Sequence, residues 1–144
     1  MHPYPHVYSA ATSGGPDGNV TVTSDGLPDL ASAPPRQFDG PGGLWSPESM
    51  LCAALADCFV LSFRAIARAS KLEWTHIECS VEGKLDRVAG VTRFTHYVTR
   101  AKLRVPPGTD VAKARLLLQK SEHACLISNS VNGERELHCE VVAP

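Results

Sequence analysis

Between Met50 and Phe63 twelve of fourteen residues are apolar, and only Asp57 and Ser62 interrupt the run. Wound as a helix, this stretch is apolar on nearly every side instead of along one stripe, the pattern of a helix surrounded by protein. Its start is well marked. In Ser46-Pro47-Glu48 the serine can cap the helix, proline tolerates the first helical position, and glutamate sits favourably at the positive end of the dipole. The helix is predicted to run to about Ser70, with Arg64, Arg68 and Lys71 marking its emergence into water. A bilayer span needs roughly 20 apolar residues, so the run reads as a core helix. Such a helix needs more cover than one small sheet supplies, which points to a second copy of the chain.

The rest of the chain supplies the sheet. The strand-like runs HVYSAATS and NVTVTS are separated by GGPDG and read as a hairpin, with a third extended piece near Leu30 to Ala33. The prolines and glycines of Pro34 to Gly43 exclude regular structure there. After the helix, Ile77, Cys79 and Val81 alternate with His76, Glu78, Ser80 and Glu82, and a turn at Ala89-Gly90 leads into VTRFTHYVTRAKLRV, a half-buried antiparallel hairpin. PPGTD then offers Thr109 or Asp110 as the cap of a second helix, VAKARLLLQKSEHA, and CLISNSVNG leads to a last strand, ERELHCEVV. The expected fold is α+β, in the order βββ-α-ββ-α-β, a bent antiparallel sheet around a long central helix.

A chain of 144 residues buries roughly two-thirds of the surface its unfolded form exposes, so residues 1–144 are expected to form one domain. Fourteen Lys+Arg against fifteen Asp+Glu, interspersed, give no basic field for phosphate backbones, so no nucleic-acid partner is expected. The opening MHPYPHVYSA lacks the pattern of a signal peptide, and five cysteines without a CxxC suggest a reducing cytoplasm. No membrane partner is expected. Six histidines invite a metal reading, and His123 lies close to Cys125, but the chain has no CxxC and no metal site is expected.

Cys79 and Cys139 lie on the apolar phase of alternating strands and read as packing residues. Cys52 and Cys58 share a helix but point about 120° apart, and Cys52 also reads as packing. Cys58, mid-way in the apolar helix, and Cys125, where the chain turns after the second helix, are each compatible with packing or with chemistry.

The stretch LWSPESMLCAALADCFVLSF, followed some 65 residues later by SEHACLISNSV, resembles the OsmC-like and organic hydroperoxide resistance (Ohr) family. There a Pro-Glu-helix-Cys motif is paired with a distal Glu-x-x-Cys-x-x-Ser motif. The resemblance extends across essentially the whole chain. It implies that Cys58 is a peroxidatic thiolate attacking the O–O bond of an organic hydroperoxide, and that Cys125 is the resolving thiol that forms a disulfide with it. It further implies a homodimer, an Arg that supports the thiolate and a Glu that orients the Arg, and an external dithiol reductant such as a dihydrolipoamide protein or thioredoxin, with no bound cofactor. The Ohr branch carries its arginine in the first hairpin turn, which here reads GGPDG. OsmC-type members use one just before the helix, and this selects Arg36, with Glu48 as its partner. Leu126 stands where relatives often have proline.

Ten residues of helix separate Glu48 from Cys58, about 15 Å, so the resemblance implies that Arg36 and Glu48 reach the cysteines of another subunit. Phe38, Trp45, Leu55 and Phe59 can line an apolar mouth for substrate, although core packing accounts for them equally well. The rival to an enzyme is a dimer of the same fold that binds a small apolar ligand or senses redox state. No Ser-His-Asp arrangement supports a hydrolase.

Overall fold

The turn-rich opening of the chain folds around the alternating VTVT. Strands β1 (Ala11–Ser13), β2 (Val20–Thr23) and β3 (Leu30–Ser32) form a three-stranded antiparallel sheet in that order. Thr12 pairs with Val22, and Val22 with Leu30. The computed structural model describes residues 1–144, whose contacts gather into two compact units, Met1–Met50 and Leu51–Pro144.

Within the first unit the Pro/Gly loop is folded on itself. Arg36–Phe38 make a single 3-10 turn, in which the Phe38 and Gly40 amides donate to the Pro35 carbonyl and the Asp39 amide to that of Arg36. The loop is tied back by the Ala33 amide, which donates to the Trp45 carbonyl at 3.0 Å. Helix α1 (Pro47–Ala69) then begins as expected. Ser46 and Ser49 cap it reciprocally: the Ser49 amide donates to the Ser46 hydroxyl at 3.2 Å, and the Ser46 amide to the Ser49 hydroxyl at 2.9 Å.

In the second unit, β4 (His76–Val88) and β5 (Val91–Arg104) form the long hairpin, and β6 (Glu134–Val142) joins the outer side of β5. Here the structure departs from a single antiparallel sheet. There are two three-stranded sheets, and β6 runs parallel to β5, with Ala101 opposite Cys139. The reason is topological: α2 (Val111–Ala124) carries the chain back across the sheet, and a strand entered through such a crossover lies parallel to the one that left.

Phe59, Phe63 and Ala67 from α1 meet Ala101, Leu103, Val105 and the α2 residues Ala114, Leu117 and Leu118 in one buried cluster. The all-round apolar helix therefore has one covered stripe. Leu55, Phe59, Phe63 and Ala67, four residues apart, are buried, while Leu61 on another face is 51% exposed. The helix ends at Ala69, close to the expected Ser70, and is long and apolar enough to cross a membrane by length and composition alone. Its buried stripe is the stripe of a core helix. Gly83 on β4 admits the Phe94 ring and the Cys52 sulfur, where a side chain would collide with both.

Asp110, one of the two predicted caps, is the one used, and its carboxylate accepts the Lys113 amide at 3.1 Å. Asp110→Ala is expected to cost about 1 kcal/mol, read as a lower denaturant midpoint at unchanged slope.

Candidate functional site

Cys58 stands on the fourth turn of α1, half-buried, with its sulfur 3.9 Å from the Ser62 hydroxyl one turn further on. Cys125 is fully buried at the carboxyl end of α2, where the backbone leaves helical geometry. The fold brings the two close enough for the Cys58 thiol to act on the titration of Cys125. Burial pushes the Cys125 thiol up. Hydrogen bonds from Ser128 oppose that rise, and the neighbouring Cys58 sulfur reinforces it, since two adjacent thiolates repel. Cys125 is thus a proton-holding thiol close to a more exposed one.

The other three thiols sit in settings that keep them protonated. Burial raises Cys52, and burial also raises Cys139, helped by the Glu122 charge and opposed by Arg115. Cys79 is pushed up to about 12, first by burial and then by the charges of Glu122, Cys125 and Cys139. A thiol alkylates through its thiolate, so at pH 8 Cys79 presents only ~10⁻⁴ of its population in reactive form. Iodoacetamide at pH 8 with peptide mapping is therefore expected to label Cys58 well ahead of Cys79. The same shift carries a stability consequence. Above the unfolded thiol value near 8.5 the unfolded chain releases protons that the folded chain retains, so stability falls as pH rises from there toward 12.

Ser62 at this site was not singled out from the sequence, and Ser128 entered only as the serine of the Glu-x-x-Cys-x-x-Ser motif. Ser62 and Ser128 stand four and three positions after their cysteines, spacings that bring side chains together on a helix or in a tight turn. Glu122 is half-buried near Cys79 and Cys139, with Arg135 3.6 Å away. One carboxylate oxygen lacks a hydrogen-bond partner, and burial raises its pKa.

Arg36 and Glu48 lie in the first unit. The Arg36 guanidinium rests over Gly42, whose positive φ of 72° and missing side chain admit it. Glu48 is half-buried in the first turn of α1, with one carboxylate oxygen buried and without a hydrogen-bond partner. No ion pair joins the two, because Arg36 is turned back on its own loop. Glu48 borders a groove of about 380 Å³ lined by Val20, Ala33, Pro35, Phe38 and Pro47.

Of the four residues expected at an apolar mouth, Phe38 lines this groove and Trp45 is 47% exposed. Leu55 and Phe59 do not fit that expectation. They are 3% and 1% exposed because they occupy the inward stripe of α1, so the packing alternative applies to them.

A mixed α+β chain with one cysteine on a long helix and another at the end of a crossover helix beside it has the features of a recognisable class. Residues 40–140 match the family model described as OsmC-like protein, and the chain belongs to the OsmC-like family. Among its relatives, the uncharacterized protein YmaD of Bacillus subtilis (strain 168) is 29% identical over 138 residues, covering 94% of this chain and 92% of YmaD. An organic hydroperoxide resistance protein of Xanthomonas axonopodis pv. citri (strain 306) is 30% identical over 125 residues, 86% of this chain and 85% of that protein. Among solved structures, an OsmC-like protein from Vibrio cholerae O1 superposes with a TM-score of 0.85 at 19% identity, over 94% of this chain and 99% of that one. The organic hydroperoxide resistance protein OsmC of Legionella pneumophila gives a TM-score of 0.76 at 27% identity, over 96% and 98%.

Proposed function

We propose that this protein is a thiol-dependent peroxidase that reduces organic hydroperoxides to alcohols. The proximity of Cys58 and Cys125, brought together from 67 positions apart so that one bears on the other's titration, carries this reading. The Cys58 thiolate attacks the terminal oxygen of the hydroperoxide, the O–O bond breaks, and the alcohol leaves with a proton. Cys58 becomes a sulfenic acid. The Cys125 sulfur then attacks Cys58, its proton and the hydroxyl depart as water, and a disulfide closes. An external dithiol, of the lipoamide or thioredoxin kind, reopens it by exchange and is itself oxidised. The name of the 30%-identical Xanthomonas relative supports the substrate class.

In this reading Arg36 turns from its place over Gly42 toward Glu48, which orients it to stabilise the thiolate, and both act on the cysteines of a second copy, since α1 is continuous and Glu48 and Cys58 of one chain stand about 15 Å apart along it. The uncovered apolar faces of α1 supply the dimer contact, and the unpartnered oxygen of Glu48 awaits a donor there. The groove beside Glu48, with Phe38 in its wall and Trp45 nearby in sequence, holds the organic part of the substrate. The protein works in a reducing cytoplasm, where the dithiol reductant is regenerated.

The same groove favours a second reading, a non-enzymatic dimer that holds a small apolar ligand or senses redox state. One equivalent of cumene hydroperoxide separates the two. A peroxidase loses two thiols rapidly and stoichiometrically as a Cys58–Cys125 disulfide, whereas a binder loses thiols slowly and without selection.

A further inference from the structure

Where α1 emerges into water, a cleft of about 510 Å³ opens between its last turns and the start of β4. The volume lies within the roughly 300–1,000 Å³ of small-molecule sites. One wall carries Arg64 and Arg68, one helical turn apart and both exposed. The other carries Leu72, Trp74, His76 and Ile77. Trp74 is braced edge-on against the core residue Phe63, with ring centroids 5.5 Å apart, so the apolar wall is held in place from behind.

Neither guanidinium has a carboxylate partner. Of the carboxylates that flank the cleft in sequence, Glu73 makes no ion pair and Glu78 lies 3.8 Å from His76. An arginine in a last helical turn complements the helix dipole, and Arg68 is placed to do so. That role does not account for the pair, because the Lys113 ammonium already donates to the Ser70 carbonyl beyond the helix end at 3.0 Å, and Arg64 stands a full turn earlier. Two free, always-charged forks facing an indole and two aliphatic side chains make a site with a charged end and an apolar end.

We infer that this cleft binds an amphipathic anion, its carboxylate or phosphate head on Arg64 and Arg68 and its alkyl body against Leu72, Trp74 and Ile77. A guanidinium matches either head group with paired N–H donors, and an alkyl chain buries the exposed apolar wall that the arginines leave open. The inference is independent of the thiol chemistry.

The chain has two tryptophans, so Trp45→Phe leaves Trp74, which lines the proposed site, as the sole tryptophan. Decanoate, decyl phosphate, decanol and acetate are titrated into that variant below any micellar concentration, with Trp74 emission as readout. The expected result is a saturable change with decanoate or decyl phosphate, at least tenfold tighter than with decanol or acetate, the tighter of the two anions naming the head group. Arg64→Gln with Arg68→Gln is expected to weaken it at least tenfold. Both side chains are exposed, so circular dichroism is expected to show the fold intact. Equal affinity for decanol and decanoate, an unchanged affinity in the double variant, or no saturable change with any of the four overturns the inference.

Discussion

Cys58→Ser is expected to lose organic hydroperoxide reduction by several orders of magnitude, while Cys125→Ser is expected to complete one turnover and stop. The difference follows from the two positions. Cys58 is half-buried and reachable, whereas Cys125 is fully buried and holds its proton beside Cys58. Removing the attacking sulfur removes the only step that breaks the O–O bond, and an alcohol in its place is a far weaker nucleophile at neutral pH. Removing the resolving sulfur leaves the first step intact and strands Cys58 as a sulfenic acid. Without a partner that acid climbs to sulfinic and sulfonic forms on further peroxide. Intact mass after one equivalent of cumene hydroperoxide reads each state directly. The native chain loses two hydrogens, Cys125→Ser gains one oxygen, and Cys58→Ser is unchanged. Survival of all five native thiols would falsify the peroxidase reading and leave the apolar-ligand dimer in its place.

The largest effect on stability is expected from Phe63→Ala. Phe63 is fully buried, sits at the centre of the cluster that joins α1, α2 and the second sheet, and meets the Trp74 ring edge to face. Truncating a buried phenylalanine costs about 3–5 kcal/mol, the transfer of the lost atoms plus the cavity left behind. Against a total of about 5–15 kcal/mol this leaves a marginal fold. For a chain of this size a thermal midpoint lower by about 10 °C or more is expected by circular dichroism. Leu116→Ala on α2 is the contrast. That side chain is 50% exposed, and its loss is expected to move the midpoint within about 0.5 kcal/mol of stability.

Family membership was legible before any coordinates, because two short motifs at fixed separation carried it, and the match over residues 40–140 agrees. The chemistry behind the motifs was less legible. Arg36 and Glu48 were paired by resemblance, yet Arg36 folds over Gly42 and makes no ion pair with Glu48. The loop's own turns decide where that guanidinium points, and turn-forming residues encode a bend far better than a side-chain direction. Leu55 and Phe59 were ambiguous for a related reason. A helix apolar on every face carries no sign of which stripe its own chain will cover.

The sequence by itself determined the elements. Ser46-Pro47-Glu48 set the start of α1, the PPGTD segment the start of α2 to within a residue, and the alternation around Cys79 the strand β4, since capping and periodicity act over a few residues. Only the tertiary structure decided that β6 runs parallel beside β5, that Leu55, Phe59, Phe63 and Ala67 form the inward stripe, and that Cys125 lies close to Cys58. Local patterns state which face of an element is apolar. Apolar attraction is not directional, so the choice of what that face meets rests on how helices and strands far apart in the chain fill one interior.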